Sequence, residues 1–156
     1  MVAERLPGLW VRFRAWGHRN VSARHRTTLE ITREDYLTPK GDCIVAVRSE
    51  IGLSDLPDDM KREIRRGAMV VLIICSAGVC DSVVGWGHPG LGLSDPVRMI
   101  VRRSTYTDDK TLMIRASKAA RDLDRRLINE IRGGGEVEVL IGVIPGVYVH
   151  VSESLR

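Results

Sequence analysis

Glutamine is absent from this chain, asparagine occurs only at Asn20 and Asn129, and Phe13 is the single phenylalanine. With aromatics at 4% of the residues, a core has to be assembled from Val, Ile, Leu, Met and Ala. Lysine is scarce too: of the 24 basic residues only Lys40, Lys61, Lys110 and Lys118 are lysines, and the rest are arginines. Few amides among many charges is a composition of heat-adapted proteins; an arginine excess is equally what a GC-rich genome produces. No long apolar run exists. The longest, Met69 to Cys75, falls far short of the ~20 residues a membrane helix needs. The opening MVAERLPGLW has no apolar stretch of a secretory signal. A membrane partner is therefore not expected, and the cytoplasm is the expected location.

Cysteine is limited to Cys43, Cys75 and Cys80, too few for a disulfide framework. Cys75 and Cys80 enclose Ser76-Ala77-Gly78-Val79, and such a pair without a second pair is a poor zinc motif, so no metal is expected. Buried or loop thiols are the ordinary reading; a hairpin disulfide is the alternative if the host is a hyperthermophile. No glycine-rich loop followed by Lys-Ser/Thr and no GxGxxG are present, which excludes the standard nucleotide cradles. Gly133-Gly134-Gly135 ends an expected helix, the wrong end for phosphate.

What is present suits one domain. At 156 residues a folded chain buries roughly 68–70% of its unfolded surface. The net charge is +4, with 44% hydrophobic residues, a globular balance.

The strongest pattern is an internal repeat. Shifted by 67 positions, residues 41–74 meet 108–141 with 10 identities in 34 positions, where roughly 2 are expected from average residue usage. Asp42 meets Asp109, Arg48 meets Arg115, Glu63-Ile64-Arg65 meets Glu130-Ile131-Arg132, and Gly67 meets Gly134. Upstream the offset becomes 70: Trp16-Gly17-His18 meets Trp86-Gly87-His88, and Tyr36 meets Tyr106. Alternation predicts strands over 10–16 and 81–86, over 27–32 and around Met99 and Val101, and short ones over 43–48 and 111–115. A helix follows in each copy. In the first, Ser54 or Asp55 caps, Pro57 sits near the first turn, and Leu56, Met60 and Ile64 form the apolar stripe. In the second the stripe is Ala120, Leu123, Leu127 and Ile131. Each helix leads into a strand, over 69–75 and 136–143, and Val147 to Val151 alternates as a last strand. The expected fold is α+β: two tandem pseudo-twofold β-β-β-α-β units, about 10–80 and 81–151, packed into one sheet or barrel-like core of a single domain spanning 1–156.

Trp16-Gly17-His18, the stretch His25 to Thr32, the stretch Leu37 to Ile44, Gly87-His88-Pro89 and the stretch Thr111 to Leu123 resemble an archaeal family of uncharacterised proteins, over about residues 9–142. That resemblance implies no activity. Leu37-Thr38-Pro39-Lys40-Gly41-Asp42-Cys43-Ile44-Val45 also resembles the GD box of cradle-loop barrels, in which Gly permits a tight turn and the Asp side chain ties it to backbone N–H groups. The second copy departs from that pattern, with Asp108-Asp109 in place of Gly-Asp, and each unit is longer than the usual barrel repeat.

Two clusters could carry chemistry. The first runs from His18 to Cys43. His18, His25, Thr28, Glu30 and Asp42 are the candidate catalytic residues, because an imidazole beside a carboxylate can act as a general base. His18 and His88 sit at matching places after glycine. Either each holds its turn through a ring nitrogen bonded to backbone, or the pair binds ligand, with His18 expected nearer a pocket. Asp42 and Asp109 read as turn residues. Cys43 beside Asp42 is a poor nucleophile, since a neighbouring carboxylate raises a thiol pKa. The second cluster is basic. From Arg5 to Thr28 there is no acidic residue, and Arg12, Arg14, Arg24 and Arg26 are the candidate nucleic-acid-binding residues. Trp10 and Trp16 share a strand face with Arg12 and Arg14, and Arg98, Arg102 and Arg103 could extend the patch. An Arg–Trp cover of the sheet is the alternative.

The cofactor is unknown, and no reaction follows from the sequence. A protein binding a small molecule or nucleic acid through the basic, His-containing first repeat is the leading expectation. The alternatives are an enzyme on a small substrate, phosphorylated or not, and an assembly or interaction protein working through a sheet edge; a homo-oligomer is left open.

Overall fold

The computed structural model describes residues 7–148. Within it the chain forms strands β1 (Leu9–Trp16), β2 (Thr28–Thr32) and β3 (Ile44–Ala46), helix α1 (Asp58–Arg65), strands β4 (Ala68–Ser76), β5 (Val79–Trp86), β6 (Arg98–Arg102) and β7 (Thr111–Met113), helix α2 (Arg125–Arg132), and strand β8 (Glu136–Tyr148). A short 3₁₀ turn precedes each helix, at Leu53–Asp55 and Ala120–Asp122. The fold is mixed α+β.

The strands make two sheets of four, in the orders β1-β8-β4-β5 and β3-β2-β6-β7. In the first every neighbouring pair is antiparallel. In the second β2 and β6 run antiparallel, while β3 and β7 lie parallel to them on the outer edges. Residues alternate on β4, where Val70, Leu72 and Ile74 are buried. On the second sheet Leu29, Ile31, Met99 and Val101 point inward. These join the helix stripes Met60, Ile64, Leu127 and Ile131 in one contiguous core.

The expected single sheet or barrel is not what forms. Among the described residues, backbone pairing between the two sheets is limited to isolated bridges, Trp16 to Val47 on one side and Trp86 to Ile114 on the other. Immediately after each bridge, Arg48 and Arg115 take φ of 54° and 51°. That left-handed turn swings the chain out of register, so neither bridge propagates into a ladder and no barrel closes among the described residues. For the same reason the strands expected over 43–48 and 111–115 shrink to three residues each. The Asp55 carboxylate accepts from Gly52 N–H and so ties the 3₁₀ turn, not α1, whose first position follows Pro57 without a side-chain cap. In the second half Asp124 does cap α2, accepting from Arg126 N–H. Ala120 and Leu123 precede that helix. β8 runs on through Pro145 to Tyr148 as one strand; positions 149–151 of the expected last strand lie outside the described residues.

The Trp-Gly-His repeats have a packing explanation. A Cβ on Gly17 would sit 1.9 Å from the Ile131 carbonyl oxygen, and one on Gly87 would sit 1.9 Å from that of Ile64. Each turn thus lies on the C-terminal end of the other half's helix, at a distance only glycine allows. Gly17 N–H donates to Gly135 O and Gly87 N–H to Ala68 O, both at 2.8 Å. Ala77 and Gly78, both at positive φ, make the tight β4–β5 turn, and Cys75 and Cys80, directly opposed in the ladder, are joined as a disulfide.

Candidate ligand-binding cleft

On the second sheet the alternation leaves Thr28, Glu30 and Thr32 of β2, with Arg98, Ile100 and Arg102 of β6, on the face turned away from the core. An open cleft of about 410 Å³ lies there, lined by His25, Thr27, Thr28, Glu30, Cys43, Arg98, Ile100, Arg102, Asp108 and Lys110. β2 and β6 are registered so that Glu30 faces Ile100, its own counterpart at the offset of 70. The cleft therefore sits where the two halves meet.

Glu30 is buried to 1% exposure on that seam. Arg98 engages it twice, Nε to Oε2 at 2.7 Å and Nη2 to Oε1 at 2.8 Å. A bidentate, charge-assisted pair is what a buried carboxylate requires. The Glu30 hydrogen bond holds the Arg98 guanidinium firmly protonated, outweighing its desolvation. Across the sheet Arg102 donates from Nε to Thr111 Oγ1 at 2.7 Å and from Nη2 to Asp108 Oδ2 at 3.1 Å, and its guanidinium lies over the Tyr106 ring. Burial alone would raise the Asp108 carboxyl. The hydroxyl of Thr111, the Lys110 N–H and the charge of Arg102 outweigh burial and bring it below its ordinary value.

His25 holds its own loop. Nδ1 accepts from the backbone N–H of Thr27 at 3.2 Å and of Thr28 at 3.1 Å, with the Thr28 hydroxyl 3.0 Å away. A nitrogen that accepts from amides carries no proton, so the network assigns the ring proton to Nε2. Cys43 donates its thiol to Glu30 Oε1 at 3.7 Å. Burial first, then the Glu30 charge, push it up to about 11, so the thiol stays protonated near neutrality.

Of the residues singled out from sequence, His25, Thr28 and Glu30 are brought together here, whereas His18 and Asp42 do not line the cleft. His18 Nδ1 accepts from Asn20 N–H at 3.0 Å, and His88 Nδ1 from Gly90 N–H at 2.8 Å. Both imidazoles hold turns, though His18 is only half-buried and His88 is exposed. Asp42 ties its loop by its carbonyl oxygen and not by the side chain of the GD-box pattern, accepting from Arg24 N–H and His25 N–H. Asp109 repeats this with Ser94 and Asp95.

The arginine cluster divides. Arg12 and Arg14 stand on β1 in a smaller hollow with Glu50, Glu136 and Glu138. Arg12 pairs with Glu138, and Arg14 with Glu50 at 3.0 Å and Glu136 at 3.7 Å, so this face is neutralised. Arg14 and Arg48 cover Trp16. Arg24 and Arg26 instead flank His25, both exposed. Arg98 and Arg102 enter the cleft, and Arg103 pairs with Asp122.

Sequence reasoning missed Lys110 and Asp108 as cleft residues. A signal existed: at the repeat offsets Thr28, Thr32, Gly41 and Cys43 correspond to Arg98, Arg102, Asp108 and Lys110, a run of charge with no equivalent in the first copy.

Residues 13–144 match the family described as a domain of unknown function, DUF371. The chain belongs to this family. An uncharacterized protein of Methanocaldococcus jannaschii, MJ0206, is 40% identical over 124 residues, covering 80% of this chain and 92% of that protein. The resemblance to an archaeal family of uncharacterised proteins therefore holds. Every cleft residue falls inside the DUF371 span. Because the family is one of unknown function, a functional reading rests on the cleft. No helix among the described residues is long and apolar enough to cross a membrane.

Proposed function

We propose that this DUF371 protein binds a small anionic molecule in the cleft over β2 and β6. The supporting observation is a surplus of cations: Arg98, Arg102 and Lys110 converge against only two carboxylates, Glu30 and Asp108, each already engaged by an arginine. Arg98 and Arg102 both leave Nη1 outside these pairs. Lys110 has no ion pair among the described residues. His25 adds the Nε2 proton, and Thr27 and Thr28 line the cleft beside it. Arg98 and Arg102, already held by Glu30, Thr111 and Asp108, lose little freedom when a ligand arrives. A cleft of about 410 Å³ lies within the roughly 300–1,000 Å³ range of small-molecule sites.

Binding is favoured over catalysis because the catalytic groups are otherwise engaged. Glu30 is held by Arg98, the Cys43 thiol is protonated, and His25 presents a donor and not a base. Binding is favoured over edge-to-edge assembly because covering segments occupy part of both edges of the first sheet. Glu50 N–H donates to Arg14 O and its carboxylate accepts from Arg14 N–H, and Ser117 N–H donates to Val84 O while its hydroxyl accepts from Val84 N–H.

The test is titration of the full chain with inorganic phosphate, sulfate and small carboxylates by calorimetry. Saturable binding that weakens with salt is expected. It should disappear in Lys110→Ala combined with Arg102→Ala and persist in Arg12→Ala combined with Arg14→Ala. Absence of saturable binding by every anion would overturn the reading.

We also infer that the halves, about 10–80 and 81–151, arose by duplication. The support is the repeated element order and the reciprocal Gly17 and Gly87 contacts. An experimental structure in which 41–74 and 108–141 do not superpose by a near-twofold rotation would refute it. A cytoplasmic location belongs to the same reading; with the Cys75–Cys80 bond it would assign the host to the hyperthermophiles, whose intracellular proteins carry disulfides.

A further inference from the structure

The cleft is charged asymmetrically beyond its own walls. The loop that carries His25 also carries Arg24 and Arg26, both exposed. Arg121 abuts it, its backbone N–H donating to His25 O at 3.0 Å. Arg125 ties the loop to the same segment, donating to the carbonyls of Ser22 and Ala23 in the loop and of Ala120 beside Arg121. Its proton affinity is lowered first by burial and then by the charge of Arg24. The carboxylates on this stretch are answered by other cations, Asp122 by Arg103 and Asp124 by Arg126. Among the described residues Arg24, Arg26 and Arg121 have no ion pair. At the repeat offsets the other end of the seam carries Ser94, Pro96, Ser54 and Asp58 where this end carries Arg24, Arg26, Arg121 and Arg125. A fold that needs no cations at one end does not need them at the other, so this rim is not required by the architecture.

We propose that the ligand is a small molecule carrying phosphates in series, one phosphate held among Arg98, Arg102 and Lys110 and the next along the rim of Arg24, Arg26 and Arg121. This rests on the anion-binding reading of the cleft and extends it outward past His25. Guanidinium pairs well with phosphate oxygens because its N–H groups form a planar fork. A small molecule is favoured over a nucleic-acid strand because the rim does not continue into a track. The other arginine face, Arg12 and Arg14, is cancelled by Glu50, Glu136 and Glu138, and backbone binding needs an extended run of unneutralised cations.

The full chain is titrated with orthophosphate, tripolyphosphate and a single-stranded RNA at a fixed ionic strength of about 0.15 M. Tripolyphosphate should bind at least roughly tenfold tighter than orthophosphate, about 1.4 kcal/mol. The exposed-residue variant Arg24→Ser/Arg26→Ser/Arg121→Ser should bring that ratio to about one, and Lys110→Ala should weaken both ligands. Equal affinity for the two phosphates in the unaltered chain overturns the serial-phosphate inference and leaves the cleft reading standing. Tripolyphosphate binding that is lost in the rim variant but indifferent to Lys110→Ala overturns the cleft reading instead. No saturable binding of either phosphate overturns both. RNA binding tighter than tripolyphosphate, and lost in the rim variant, replaces the small molecule with a nucleic acid.

Discussion

Gly17 and Gly87 occupy matching places in the two halves and solve the same problem, whereas His25 and Asp95 occupy matching places and solve theirs with different chemistry. Each glycine lies against a helix end where a Cβ would meet backbone oxygen. Each of the other two accepts a pair of backbone N–H groups two and three residues on: His25 through Nδ1 from Thr27 and Thr28, Asp95 through Oδ1 from Val97 and Arg98. A turn needs an acceptor at that point and is indifferent to which one. An imidazole leaves a second nitrogen, with its proton, for the cleft. The same split runs through the molecule. Positions that set the backbone path, such as Arg48 and Arg115 at positive φ, are alike in the halves. Positions on the open face of β2 and β6 are not: Thr28, Glu30 and Thr32 stand against Arg98, Ile100 and Arg102. Change is tolerated on that face because side chains there meet one another and line the cleft instead of the hydrophobic core, and a binding site there leaves the fold unaltered.

The largest expected effect tests the alike positions. Gly17→Ala and Gly87→Ala should each destabilise by about 3 kcal/mol or more, since backbone and not a flexible side chain blocks the new methyl. Urea denaturation should give similar losses for the two; a tolerated alanine at either site breaks the equivalence. The unlike positions predict the opposite. Glu30→Ala alone leaves Arg98 without its partner and should cost about 1–3 kcal/mol, moderated by the partial exposure of Arg98. The double variant Glu30→Ile with Arg98→Thr, which copies Ile100 and Thr28 across the seam, should recover most of that loss and abolish anion binding. Failure of the double variant to regain stability would mean that the ion pair is part of the scaffold.

Acid should act on groups that only one half possesses. Asp81 and Asp108 stand where the first half has Val11 and Gly41. Burial would raise the Asp81 carboxyl, but Lys118 and the N–H groups of Asp124 and Ser82 together outweigh it and hold it below its ordinary value. A depressed folded pKa contributes stability above the unfolded value of about 3.9, and that contribution disappears as pH falls through the lower, folded value. Melting temperature should therefore drop on acidification from roughly pH 5 to pH 2, and Asp81→Asn should flatten the drop. An unchanged slope would remove Asp81 from the account. The smallest effect belongs to the neutralised face. Arg12→Ala with Arg14→Ala should leave the denaturation midpoint nearly unchanged, because exposed pairs are screened and hold flexible side chains at an entropic cost. A large loss there would show that the Arg–Trp cover over Trp16 carries the first sheet.

Much of the secondary structure was legible because its causes are local. Alternation on 10–16 and the apolar stripe of Met60 and Ile64 reflect the periods of strand and helix, which a chain expresses wherever it packs. The repeat offsets were legible for the same reason, and they located Trp-Gly-His before any contact explained it. The cleft was legible only in part. His25, Thr28 and Glu30 stood out as a polar cluster, yet the residue that completes Glu30 is Arg98, 68 positions away. Nothing in the sequence between them specifies that approach. Sequence by itself determined the elements, the twofold rhythm of the chain and the places where only glycine fits. Tertiary structure alone decided that the strands make two open sheets, that Cys75 and Cys80 are bonded, that Arg12 and Arg14 are cancelled by Glu50, Glu136 and Glu138, and that Arg98, Arg102 and Lys110 share one cleft. The physical reason is that local periods depend on neighbours in the chain. Pairing across a sheet and the net charge of a surface depend instead on which distant segments the core brings together.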